Sequence, residues 1–230
     1  MKYEILHQPS YAVAKLMLDK DESVQAESGA MVSMSDNIEV ETGLQSGGIW
    51  GALKRTVLGG ESFFVNTFTA EDREGELILA PVLSGDVFIQ ELTDKAMLVQ
   101  SGSYLAGSKT LEVDTKWGGA KTFFSGEGLF MLRVSGSGVL MMSSYGAIHE
   151  VDLVEGQKYV IDTGHVVAFD EDVKYEVKKV GNWKSTFLSG EGLVVELTGP
   201  GKVLLQTRSF ESFLNYLIPK LPRNDSGGRE

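Results

Sequence analysis

The sequence predicts an all-β chain of three tandem β-sandwich units of about 65 residues each, followed by a short C-terminal helix. Three observations predict it. Tryptophans stand at Trp50, Trp117 and Trp183, 67 and then 66 residues apart, and each opens a similar passage. The 27 glycines, against 5 prolines, fall between short apolar runs, where tight turns between strands need them. Short segments alternating apolar and charged residues recur at matching places, the pattern of a strand with one covered face.

Each repeat reads in the same order. First comes a Ser/Thr-Gly turn: Glu27-Ser-Gly29, Gln100-Ser-Gly102 and Asp162-Thr-Gly164. Next is an alternating strand: Ile38-Glu-Val-Glu-Thr, Leu111-Glu-Val-Asp-Thr and Tyr175-Glu-Val-Lys-Lys. Then come the tryptophan and a Gly-Glu pair: Gly60-Glu61, Gly126-Glu127 and Gly190-Glu191. Two apolar runs close the unit. In the second repeat they flank Ser135–Gly138, and in the third Thr198–Gly201, so the spacing predicts hairpins. In the first repeat they flank the longer, charged Thr69–Gly75. Runs such as Leu129–Val134 are apolar on both faces, which requires cover on both.

The expected organisation is one compact domain over 1–222, with repeats at about 1–80, 81–145 and 146–209. Apolar residues at 210, 213, 214, 217 and 218 have helical spacing and predict a helix over 210–218 docked on the β-core, ended by Pro219 and Pro222. The polar, Gly-rich 223–230 reads as a disordered tail.

The formal charge of −11 opposes binding to nucleic acid or anionic lipid, and no segment is a basic patch. Without cysteine there are no disulfides, Cys-based zinc sites or thiol nucleophiles. The first residues lack a signal peptide's apolar stretch, and no run has the roughly 18–20 apolar residues of a membrane helix. The reading is a cytoplasmic protein, with peripheral attachment to a membrane left open.

The Phe/Leu-Ser-Gly-Glu-Gly-Leu passage after Trp117 and Trp183, with Gly47-Gly48, Trp50 and the Gly-rich connections in order, resembles the family named for altered inheritance of mitochondria. The resemblance runs from about Tyr3 to Ser209. It implies units similar to the tryptophan RNA-binding attenuation protein (TRAP-like), and a homotrimer whose nine units form a ring. It supplies no catalytic residues to carry over, and it implies links to membrane organisation or envelope stress.

The candidate sites each have a structural alternative. Asp162-Thr-Gly164 has the form of an aspartic protease signature, but that chemistry needs two carboxylates sharing a proton, and the matching places hold Glu27 and Gln100. Glu61, Glu127 and Glu191 read as turn carboxylates accepting backbone N–H bonds, or as a ring of acids holding cations in an oligomer. Trp50, Trp117 and Trp183 read as packing anchors between repeats, or as platforms for a base or apolar ligand. His7, His149 and His165 do not recur and form no Ser-His-Asp set. No catalytic residue, metal or cofactor is expected. The function expected is a non-enzymatic scaffold, a symmetric β-ring presenting surfaces to protein or membrane-associated partners. The alternatives are a nucleic-acid binder by fold analogy, which the charge opposes, and a small-ligand protein with a site between units.

Overall fold

The computed structural model describes residues 1–42, 57–58, 61–62, 65–114, 130–179 and 193–222. The chain is mostly β, in antiparallel sheets, with one short α-helix among the described residues. The first repeat holds β1 (Lys2–Leu6), β2 (Val13–Leu18), β3 (Ser23–Glu27), β4 (Met31–Met34), β5 (Ile38–Thr42), β6 (Val57–Leu58), β7 (Glu61–Ser62), β8 (Val65–Ala70) and β9 (Gly75–Leu79). The second holds β10 (Val87–Gln100), β11 (Tyr104–Ser108), β12 (Leu111–Asp114) and β13 (Met131–Ser143). The third holds β14 (Ile148–Leu153), β15 (Lys158–Asp162), β16 (Val166–Asp170), β17 (Lys174–Lys179), β18 (Leu193–Thr198) and β19 (Gly201–Gln206), before α1 (Phe210–Leu217).

Period-two patterning sets the faces. In β2, Ala14, Leu16 and Leu18 are buried while Val13, Lys15 and Met17 lie between them, partly exposed. Partners follow one scheme throughout. In the first repeat β9 lies between β2 and β4, and β8 between β3 and β5. In the third, β19 lies between β14 and β16, and β18 between β15 and β17. In the second, the long β10 and β13 pair along their lengths, and β13 also takes β11 and β12 at its two ends.

The expected hairpins are therefore corrected. Among the described residues, the two apolar runs at the end of each repeat do not pair with each other; they serve different strand sets. Ser135–Gly138 lies inside β13, opposite a register shift between Leu92 and Lys95 of β10. Gly136 takes φ +119 there, and a Cβ would meet the Thr110 carbonyl at 3.0 Å, so glycine lets one continuous strand bend between sets. A bend and a hairpin share the same turn residues, which is why the sequence pattern does not separate them.

Two ladders join neighbouring repeats. Between the first and second, β3 pairs β11 with Ala26 opposite Ala106, Gln25 opposite Gly107 and Val24 opposite Ser108. Between the second and third, β10 pairs β16 with Val99 opposite Ala168, Leu98 opposite Phe169 and Met97 opposite Asp170. The register is the same: in both ladders the residue three before one turn's glycine faces the residue four after the next turn's glycine. The apolar cores straddle these ladders, since Leu105, Ala106 and Met141 complete the first core and Leu98 and Met131 the third.

Helix α1 starts at Ser209, whose side chain accepts from the Ser212 N–H at 3.3 Å, with Glu211 in its first turn. It ends at Leu217 rather than 218, and a 3-10 turn, Ile218–Lys220, accommodates Pro219. The expected docking is shallow. No residue of the helix is buried, and Phe213 meets the Tyr145 ring edge-on at 6.2 Å. No helix among the described residues is long and apolar enough to cross a membrane.

Candidate functional site

Two features of the molecule are open to contact: strands paired on one side only, among them β4 and β15, and a polar cavity. The edges follow from the joining scheme. At the start of the chain β4 pairs only β9, and at its end β15 pairs only β18, among the described residues. Their other sides have no strand partner among the described residues, and an open strand edge templates the addition of a strand. Strand β4 bears Met31, Val32 and Met34 at 43%, 58% and 40% exposure, and β15 bears Val160 at 58%. At the positions matching β4, the residues Tyr104, Leu105, Val166, Val167 and Phe169 are buried. Burial pushes the Tyr104 phenol well above its ordinary value, with the nearby Glu27 charge adding to it, so the ring stays neutral and donates to the Gln25 carbonyl at 3.4 Å.

The cavity, about 600 Å³, opens where the turns after β10 and β15 meet the ends of β13 and β19 beneath the first turn of α1. Both turns are short 3-10 segments, Ser101–Ser103 and Thr163–His165, entered from extended residues Gln100 and Asp162. Asp162 accepts from the Gly164 N–H at 2.8 Å. Its carboxylate is thus engaged in capping its own turn, the structural reading of the protease-like motif. Gln206 locks the floor: its Oε1 accepts from the Tyr145 N–H at 2.8 Å and its Nε2 donates to the Gly164 carbonyl at 2.8 Å. The His165 Nδ1 lies 2.7 Å from the Gln206 carbonyl, as donor. A Cβ on Gly164 would sit 2.6 Å from the Ser209 hydroxyl, so only glycine lets the helix start come this close.

Three hydroxyls on the cavity wall stand apart from this network. Ser103, Ser143 and Thr163 are 3%, 3% and 8% exposed as residues, and none has a side-chain hydrogen-bond partner among the described residues. Their hydroxyl oxygens are not among the enclosed, partnerless polar atoms, so what exposure these residues keep includes the hydroxyls that line the cavity. Tyr145, Phe210 and Leu214 supply an apolar side. Glu27 and Glu211 also line the space, and no Lys, Arg or His does among the described residues.

Five of the six repeat-equivalent candidates, Trp50, Trp117, Trp183, Glu127 and Glu191, lie outside the described residues. Glu61 belongs to β7, its backbone opposite Leu58. His149 is exposed on β14, and His7 is exposed with φ 63. No group of three or more His, Asp or Glu among the described residues could hold a metal ion. Ser103 and Ser143 were not apparent as site residues from sequence. The available signal was the Ser/Thr-Gly turn itself, whose second and third copies both reach the cavity.

These features define a mostly β, antiparallel protein in which one strand-pairing scheme recurs along the chain. The chain belongs to the Mitochondrial biogenesis AIM24 family, whose model matches residues 3–208. It is 28% identical over 233 residues to an uncharacterized protein of Streptococcus pyogenes serotype M6, covering 98% of this chain and 93% of that one. Its fold is similar to that in an X-ray crystal structure of a Streptococcus pyogenes protein, with a TM-score of 0.80 at 27% identity over 96% of this chain and 99% of the other.

Proposed function

We propose that the chain is a non-catalytic scaffold. Its three TRAP-like sandwich units join those of further copies head to tail, closing a homotrimeric ring that presents repeated surfaces to protein or membrane-associated partners. The observation that carries this reading is the exposure of β4, whose counterparts β11 and β16 are each covered by the preceding repeat. In the proposed contact, which extends the shared register to the open ends, Ile161 of one copy faces Ser33 of the next, Val160 faces Met34, and Tyr159 faces Ser35. A contact between two different surfaces of the same chain is heterologous, and such contacts close into rings or run into filaments. Covering Met31, Val32 and Met34 favours pairing by about 1.5–3 kcal/mol for each side chain fully buried, besides the ladder bonds themselves.

Native mass spectrometry of the full chain tests this directly. The expected mass is three times 25.0 kDa. A monomer at micromolar concentration would remove the ring, and a ladder of increasing masses would replace it with an open filament.

A further inference from the structure

We infer that the cavity beneath α1 binds an uncharged, hydroxyl-bearing small molecule of the size of a sugar or nucleoside. This goes beyond the ring reading and is independent of it, because every residue used comes from one chain. The volume, about 600 Å³, falls within the range of small-molecule sites. The decisive observation is the set Ser103, Ser143 and Thr163: three residues more than nine-tenths buried, lining one cavity, whose hydroxyls stay open to it and have no side-chain partner among the described residues. Each can donate one hydrogen bond and accept others. They come from two turns and a strand end: the Gln206 and Asp162 hydrogen bonds hold the turn of Thr163 and the backbone at Tyr145, two residues beyond Ser143, and the Ser101 N–H donates to the Phe130 carbonyl at 2.8 Å at the start of the turn of Ser103, so the array is organised before anything binds.

The rest of the wall narrows the class. The same cavity is lined by the Tyr145 and Phe210 rings and Leu214, which fit a C–H face or a flat base. The Glu211 carboxylate, with no cationic side chain among the described lining residues, disfavours phosphates and carboxylates. A cation would gain from the carboxylate, but it would leave three hydroxyls, each able to donate, with nothing to donate to. A ligand that carries several hydroxyls and an apolar face and no charge satisfies both sides.

Saturation-transfer NMR on the full chain, with methyl α-glucoside, adenosine, spermidine and citrate as separate probes, tests the assignment. Transfer to methyl α-glucoside or adenosine is expected, and which of the two responds tells sugar from nucleoside. Spermidine and citrate should show none. Ser143→Ala with Thr163→Val removes two hydroxyls without adding bulk and should weaken binding at least tenfold, about fivefold for each lost hydrogen bond. Leu214→Trp alters only the shallow helix, so the β-core should fold normally, and it should block the cavity and abolish transfer. The inference is overturned by no transfer to either neutral probe, or by transfer to spermidine or citrate that equals theirs. It is overturned equally by undiminished transfer in a variant that keeps the wild-type far-UV circular dichroism and melting temperature.

Discussion

Strands β4, β11 and β16 occupy the same place in three repeats, directly after a Ser/Thr-Gly turn, yet only the last two are buried. All three are apolar enough for a core: Met31-Val-Ser-Met, Tyr104-Leu-Ala-Gly-Ser and Val166-Val-Ala-Phe-Asp. What separates them is the strand next door. Strand β11 has β3 beside it and β16 has β10, whereas β4 faces outward. The mirror contrast holds for β15, whose counterparts β3 and β10 are both covered. Burial in this molecule is thus set by position along the array rather than by composition. A chain-end strand that keeps core composition points to a contact outside the chain.

The largest effect should come from placing like charges on the two open edges. Met34→Asp with Val160→Asp sets carboxylates opposite one another at each proposed contact, and cross-strand like charges destabilise pairing. The expected result is complete dissociation to the 25.0 kDa chain. Met34→Asp with Val160→Lys turns the repulsion into a pair and should restore the assembly in native mass spectrometry. Persistence of the double-aspartate assembly would show that the register, or the edge, is wrong.

A second experiment compares one position at two junctions. Leu98 in β10 and Val160 in β15 are equivalent, but Leu98 is fully buried against the third core. Leu98→Ala should cost about 2–5 kcal/mol by urea unfolding, through lost burial and the cavity left behind. In the isolated chain, diluted below the concentration at which it assembles, Val160→Ala should change stability by less than about 0.5 kcal/mol, as at other exposed sites. Equal costs would mean that β15 is covered in the isolated chain.

Repeat order and the alternating strands were legible because period-two patterning survives in single segments: Ile38–Thr42 and Leu111–Asp114 are strands where the alternation puts them. Strand partners were not. Whether Gly136 turns a hairpin or bends a strand depends on β10 running alongside it, which no local pattern encodes. The cavity was half legible. The Ser/Thr-Gly turn was conspicuous, and its meaning emerged only when Ser143, from a different segment, was brought against Thr163 and Ser103. A serine at the end of an apolar strand carries no mark of its destination.

A smaller effect is expected at the second internal junction. Arg133 of β13 donates to both carboxylate oxygens of Glu171, beyond β16, at 2.7 and 3.0 Å. The hydrogen bonds it donates to Glu171 hold the guanidinium pKa above its ordinary value, against the opposing effect of burial. The pair is about one-third exposed or less on each side, so screening limits its worth. Glu171→Gln should lower stability by about 0.5–1 kcal/mol, measured by urea unfolding, and should leave the assembled mass unchanged. A change in mass would mean that the internal junctions and the outer contacts are mechanically coupled.

The smallest effect separates the outer sheet by pH. Glu196 of β18 accepts from Lys158 of β15 at 2.7 Å and lies 3.0 Å from Lys178 of β17, bridging all three strands behind the open edge. Those two hydrogen bonds, Lys158 first, hold its carboxyl below the ordinary value of 4.5. A depressed carboxyl stabilises the fold fully above its unfolded pKa, and the contribution is lost as pH falls through the folded one. Melting temperature should therefore drop more steeply for the native chain than for Glu196→Gln between about pH 6 and pH 3. Other carboxylates protonate in both chains and cancel in the comparison. Because the group is in contact with solvent, the difference should shrink further in molar salt, whereas the contact between Met34 and Val160, being apolar, should strengthen. The two responses have opposite sign, so salt alone distinguishes an edge held by its lysines from one held by its neighbour.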